Sequence, residues 1–337
     1  MKEEKLEIYK KTLEKGINQR EDIEKAVEKI LEKEIKNIFL VGCGGSLGCM
    51  FPLKYIMDIN SKLPVFTYNS SEFLALDPVN LSENSLVILS SYSGKTKETV
   101  DAAEYVNKKG GTTIGFTGED GSPLGKAVNY VFTNKADEGV TDSKIIMLYQ
   151  IIFNVLKYTD NYQKYDEMME IIDLLPEKLV EIKREAEERA EKFAKVNKDE
   201  EFFMTIGSGP NWGETYVYAT CILEEMQWIH AQPVHAGEYF HGAFEIVRED
   251  TNLLIFKGED KTRSLIDRVE EFSYKYSNNI TLIDTKEYNN IDNISDEFKG
   301  YLSPLILSAV MDVFSKKLAE ARNHPLETRK YMGKVDY

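Results

Sequence analysis

The sequence has little cysteine, no long apolar run and a deficit of positive charge. Cys43, Cys49 and Cys221 are the three cysteines of 337 residues; none forms a CxxC pair and their number is odd. That argues against a disulfide framework and for a reduced, cytoplasmic protein. Cys43 adjoins a glycine-rich turn and reads as a small packed residue rather than a nucleophile. No stretch approaches the roughly 18 apolar residues of a membrane span. The opening MKEEKLEIYKKTLEKG is charged and has no apolar h-region, so it is not a secretory signal. Lysine and arginine total 42 against 57 acidic residues, a net charge of −15. A nucleic-acid surface needs a basic stripe to displace counterions, so nucleic acid is excluded as a partner.

What is present is a large supply of core. Hydrophobic residues make up 42% of the chain, and its length suggests two domains. Residues 2–34 carry apolar positions at helical spacing and predict two amphipathic helices. After them IKNIFLVGCGG, PVFTYNS, SLVILSS, TTIGFTG and NYVFTNK read as strands. LGCMFPLKYIMDIN, KETVDAAEYVNKKG and SKIIMLYQIIFNVLKY read as the helices between and after them. Apolar strands alternating with helices predict an α/β fold, a parallel sheet sandwiched by helices as in flavodoxin-like three-layer proteins. A charged helical segment follows. The strand–glycine–helix pattern then restarts at EEFFMTIGSGPNWGETYVYATCILEEMQ, with TNLLIFKGED and NITLIDTK as later strands. This is a whole-domain repeat offset by about 165 residues. The expected boundaries are 1–34 for the N-terminal helices, 35–160 for the first domain, 161–198 for a helical linker, 199–320 for the second domain and 321–337 for a tail. The tail is polar, and Tyr331, Met332, Val335 and Tyr337 suggest that it docks near the active site.

The stretch SSYSGKTKE contains GKT, the end of a Walker A loop. That loop needs a glycine at position 89, where Leu89 stands. The dinucleotide pattern GxGxxG fails as well, because Leu47 takes the place of its last glycine. What survives is a cage of hydroxyls. Ser91, Ser93 and Thr96 lie where a strand ends and a helix begins, and Gly94 lets the backbone come close. Free N–H groups at a helix start, with the dipole behind them, suit a phosphate monoester. The turn Gly42–Ser46 offers Gly45 and Ser46 at an equivalent strand end. Ordinary N-capping is the plain alternative for any one of these hydroxyls.

SYSGKTKET resembles the S-x-S-G-x-T signature of sugar-isomerase (SIS) domains, and VGCGGS resembles the paired first turn of that family. The resemblance covers nearly the whole chain from about residue 35 and implies two SIS domains. The second copy has IFKGED at the signature position, so Lys257 and Gly258 replace the serines and one phosphate site per chain is expected. Three of four histidines, His230, His235 and His241, fall in LEEMQWIHAQPVHAGEYFHGAFEI. Their spacing lacks the i, i+4 pair of a helical zinc site, and Pro233 and Gly237 interrupt any single helix. No metal or other cofactor is expected. The stretch is similar to the isomerase half of glucosamine-6-phosphate synthase. That similarity implies that Glu225 is the acid–base glutamate and that His241 assists ring opening in the neighbouring subunit's site. A homodimer or higher homo-oligomer with shared sites follows. It also puts His230 at a helix end, gives His235 no counterpart, and points to Lys334, with Lys330 nearby, as the C-terminal lysine. No glutaminase segment precedes the module here, so delivery of ammonia from glutamine is not expected.

The tail HPLETRKYMGKVDY with GEYFHGAFEI looks most like fructosamine-6-phosphate deglycases of the fructoselysine type. The reaction implied is hydrolysis of a 6-phosphofructosamine to glucose 6-phosphate and amino acid through an enaminol and an imine. Two alternatives remain open: a sugar-phosphate isomerase or aminosugar-phosphate deaminase, and a phosphosugar sensor without catalysis.

Overall fold

The segment NIFLVG forms strand β1 (Asn37–Gly42) and is buried at every position. An apolar run of this kind is what a strand needs when helices cover both of its faces. A computed structural model describes residues 2–289, 291 and 294–335 of the chain. It divides into two compact units, Lys2–Glu177 and Lys178–Tyr337.

The first unit begins with helices α1 (Glu3–Ile17) and α2 (Arg20–Ile30), continues through β1, α3 (Gly45–Gly48) and α4 (Phe51–Asn60), and then β2 (Val65–Asn69), α5 (Ser70–Leu76), β3 (Ser85–Ser90) and α6 (Lys97–Lys108). It ends with β4 (Thr112–Thr117), α7 (Pro123–Ala127), β5 (Tyr130–Thr133) and α8 (Val140–Thr159). All strands are parallel, in the order β2-β1-β3-β4-β5. The two N-terminal helices pack on α8: Tyr9 donates to Asp142 at 2.6 Å, and Gln150 donates to the Gly16 carbonyl at 3.2 Å. Helix α8 is buried on all sides from Asp142 to Leu156, as expected of a helix that is apolar around its whole circumference.

Helix α9 (Tyr165–Asn197) runs on from the first unit into the second. The second unit contains β6 (Phe202–Gly207), α10 (Trp212–Val217), a π-helix over Tyr218–Met226, β7 (His230–His235), β8 (Leu253–Lys257), α11 (Arg263–Tyr276), β9 (Ile280–Asp284) and α12 (Asp296–Ala321). Its sheet is also parallel, in the order β7-β6-β8-β9. This is the strand order of the first sheet without its last strand, and it agrees with the sequence repeat.

One assignment is corrected. His230 is not at a helix end; it opens strand β7, paired with Phe202, and its N–H donates to the Glu201 carbonyl at 3.1 Å. Pro233 and the polar residues of HAQPVH disguise this strand. The strand is tolerated because β7 lies at the sheet edge, where a residue without an N–H costs little.

Helices α9 and α12 are joined by a buried cation. Lys183, 1% exposed, donates to Asp312 at 2.6 Å, and Lys316 reaches the same carboxylate at 2.8 Å. Burial would raise the Asp312 carboxyl, but the two ammonium groups outweigh it and hold the group down to about 2. Its stabilising contribution is therefore complete above 3.8, the ordinary value, and is lost as pH falls through about 2. Asp312→Asn is expected to cost roughly 2 kcal/mol at pH 7 in chemical denaturation. That is less than a fully buried pair would cost, since part of Asp312 remains in water. The difference from the parent protein should shrink as pH falls from about 4 towards 2.

Candidate active site

A parallel sheet puts every strand's carboxyl end on one edge. Where neighbouring strands send their chains to opposite sides, a crevice opens. In the first unit that point lies between β1 and β3, and the register pairs Gly42 with Ser90. The turns GCGGS and SYSGKT therefore leave the sheet side by side. Ser91 Oγ lies 2.8 Å from Thr96 Oγ1 and 3.5 Å from Ser93 Oγ. The Lys95 N–H donates to Ser93 Oγ at 3.2 Å. Thr96 is the N-cap of α6, so the hydroxyls surround the positive end of a twelve-residue helix. Lys95 itself is exposed and belongs to no phosphate loop. Ser46 sits half-buried in the adjoining turn, and Gly45 opens α3.

Gly94 fixes the shape of this turn. Its φ is +62°, and a Cβ there would come within 2.2 Å of Ser122 Oγ and 2.5 Å of Thr117 Oγ1. Those two hydroxyls lie 3.1 Å apart, and Ser122 caps α7 by accepting from the Gly125 N–H at 3.1 Å.

The equivalent edge of the second sheet is closed by the protein's own carboxylate. Asp260 accepts from the Thr262 N–H at 2.8 Å and from its hydroxyl at 2.6 Å, at the start of α11. Thr262 Oγ1 lies 2.8 Å from Ser208 Oγ. Gly209, with φ of +56°, admits the carboxylate: a Cβ there would lie 2.5 Å from Asp260 Oδ1. Burial raises the Asp260 carboxyl, and the Thr262 donors oppose that. Lys257, the last residue of β8, turns to Asp267 and Glu270 at 2.7 and 2.6 Å. An internal carboxylate thus lies beside the start of α11. The sequence reveals that the serines are missing, but not that Asp260 takes over their role.

Glu225 lies on the last turn of the π-helix. The wide turn closes with the Gln227 N–H donating to the Ile222 carbonyl at 3.0 Å, and Trp228 follows at φ +57°. π-Helical turns and left-handed bulky residues are both strained, and both gather at functional sites. Gln227 is fully buried and donates to the His324 carbonyl at 2.9 Å, while Trp228 meets the His324 ring edge-on at 4.6 Å. The chain beyond α12 is thereby tied to the end of the π-helix. Arg329 Nη2 reaches Glu225 Oε1 at 2.9 Å, with both side chains about three-quarters buried. The tail's apolar residues do not make this contact. Tyr331, Met332 and Val335 are about half exposed, and Tyr337 lies outside the described residues. Lys334 donates from Nζ to the Arg329 carbonyl at 2.5 Å, so it meets the arginine's backbone rather than Glu225.

His241 ends a short 3₁₀ turn (Tyr239–His241), and its ring is exposed. Among the described residues no hydrogen bond or ion pair joins it to Glu225. His235 is half-buried, stands edge-on to Trp212 at 5.4 Å and accepts from the Gly237 N–H at 3.1 Å. Burial pushes its pKa down, which suits a neutral structural imidazole. Like Asp260, Arg329 is a residue that sequence reading missed. Its only signal was a basic residue in the tail.

The turn around Gly94 gives a direct test. Gly94→Ala adds left-handed strain of about 1–2 kcal/mol and two collisions, so the melting temperature should fall by several degrees and phosphosugar affinity should weaken at least tenfold. Gly121→Ala, where a Cβ meets nothing within 4 Å, should leave both unchanged.

Comparison with known proteins shows the family. Residues 31–155 match the SIS domain family. The chain is 41% identical to the fructosamine deglycase FrlB of Bacillus subtilis, over 94% of this chain and 97% of that one. It is 26% identical to the fructoselysine 6-phosphate deglycase of Escherichia coli, over 92% and 90% of the two chains. Among solved structures, a Bacillus subtilis protein described as a candidate phosphosugar isomerase superposes with a TM-score of 0.87 at 39% identity, covering 94% of this chain and 97% of that one. The C-terminal domain of glucosamine-fructose-6-phosphate aminotransferase from Francisella tularensis shares the fold, with a TM-score of 0.79 at 18% identity, over 96% and 95% of the two chains. The chain belongs to the SIS-domain family, among the relatives named fructosamine deglycases.

Proposed function

We propose that the chain is a deglycase that hydrolyses a 6-phosphofructosamine to glucose 6-phosphate and a free amine. The observation that carries this reading is its identity, along nearly its whole length, with the Bacillus subtilis fructosamine deglycase. In this reading the two parallel sheets belong to two SIS domains, of which the first receives phosphate and the second is closed to it by Asp260.

The roles follow from the chemistry of an Amadori compound. Ser91, Ser93 and Thr96, with the start of α6 and the turn bearing Gly45 and Ser46, take the 6-phosphate. Fixing the phosphate removes the freedom that the sugar would otherwise lose at the reaction step. His241 helps open the ring. Glu225 removes a proton from C1; the electron pair forms the C1–C2 double bond while the C2–oxygen π pair moves to oxygen, which takes up a proton to give an enaminol. Reprotonation at C2 leaves a C1–nitrogen double bond. Water adds to C1, the C–N bond breaks, and the amine departs with its proton. No oxidant or co-substrate other than water enters this balance. The exposure of the His241 ring supports its service to the site of a second copy.

Glu225→Gln is expected to lower kcat by about 10²–10⁴-fold while KM for the phosphosugar changes by only a few-fold. Near-normal release of glucose 6-phosphate by that variant would remove Glu225 from its role. Ser91→Ala and Thr96→Ala should each raise KM by about tenfold, as the loss of a hydrogen bond to a charged group would. Sharing of sites is tested by mixing Glu225→Gln with His241→Ala protein. If each is inactive alone and the mixture recovers activity, the two residues serve one site from different copies. No recovery after subunit exchange would place them in the same copy.

A further inference from the structure

The tail beside Glu225 has a charge opposite to that of the whole chain. Residues 321–337 contain Arg322, Arg329, Lys330 and Lys334 against the two acids Glu327 and Asp336, in a protein of net charge −15. Within this basic segment Arg329 is held by its own turn. Its Nη1 donates to the Leu326 carbonyl at 2.7 Å and to the Thr328 carbonyl at 3.0 Å, and the Lys334 ammonium grips its backbone oxygen at 2.5 Å. Nη2 is the nitrogen that meets a carboxylate, that of Glu225 at 2.9 Å. A guanidinium fixed through one nitrogen, with an edge presented to a carboxylate, is a fork suited to carboxylate recognition.

The substrate's geometry brings a second carboxylate to the same place. Glu225 must come within about 3 Å of C1 to take its proton. When the amine is the α-nitrogen of an amino acid, the carboxylate carbon is three bonds from C1, which at about 1.5 Å per bond puts it within roughly 4 Å. At the amine end of the substrate, away from the 6-phosphate, that α-carboxylate is the group of opposite charge that can reach a cation beside Glu225. Building on the deglycase reading, we infer that Arg329 is the specificity-determining residue that receives the α-carboxylate of the departing amino acid. In the free protein it rests on Glu225. When an α-linked substrate binds, the guanidinium shares or transfers its contact to the substrate carboxylate, which orients C1 and leaves Glu225 able to accept the proton. The enzyme should therefore prefer α-linked amino acids over amines without a neighbouring carboxylate.

The test compares 6-phosphofructosyl-valine with 6-phosphofructosyl-isobutylamine, which differ by the carboxylate alone, and reads kcat/KM from glucose 6-phosphate release. The parent enzyme is expected to favour the valine compound by about 10–100-fold, as a hydrogen bond to a charged group would give. Arg329→Met should bring that ratio close to one, mainly through loss on the valine compound. Arg329→Lys, which keeps the charge without the fork, should give an intermediate ratio and guards against a misfolded Met variant. An equal loss on both substrates, with the ratio unchanged, would show that Arg329 only positions Glu225; it would overturn this inference and leave the deglycase reading intact. Failure of the parent enzyme to release glucose 6-phosphate from either compound would overturn the deglycase reading and this inference with it.

Discussion

The organising constraint is the exposed start of a helix that follows a parallel strand. Its first N–H groups have no partner in the helix, and the dipole makes that end positive. Every crossover in both sheets creates such an end on one edge, and each must be satisfied by something. In the first unit no side chain caps α6, and the small hydroxyls Ser91, Ser93 and Thr96 stand beside its start, bonded to one another. In the second unit the start of α11 is satisfied from within, by Asp260. One strand order thus carries two different helix starts, which differ in three or four side chains.

In the second unit the strained backbone gathers around Glu225. The π-helix gives a wider turn than an α-helix, and Trp228 leaves it in a left-handed conformation that a bulky residue rarely adopts. Such a conformation persists only when its surroundings hold it. The buried Gln227 bond to the His324 carbonyl and the Trp228–His324 contact supply that support. The same contacts bring the tail past Glu225. The carboxylate, its arginine partner and the strained turn are therefore one connected assembly.

Much of the fold was legible because its signals are local. The apolar runs at β1, β3, β4, β6 and β8 and the glycines after β1 and β3 mark a parallel α/β sheet, and the repeat shows in the spacing. Strand β7 was not legible, because His230, Gln232 and Pro233 suit an edge that only the complete sheet reveals. The hydroxyl turn was readable, since all its members fall within six residues. Asp260 and Arg329 were not, because each acts through a partner chosen by packing. Nothing in the distance from Glu225 to Arg329 along the chain announces their pairing. The contacts that the tail makes beside Glu225 run through the His324 carbonyl and Arg329 rather than through Tyr331, Met332 or Val335.

The account's central claim is that a proton leaves C1 before the carbon–nitrogen bond breaks. The most direct measurement uses a 6-phosphofructosamine with both C1 hydrogens replaced by deuterium and analyses the released sugar by NMR. The enaminol route predicts glucose 6-phosphate with a single deuterium at C1. Release of fructose 6-phosphate with both deuterium atoms still on C1 would mean that water displaces the amine directly, and would contradict the account.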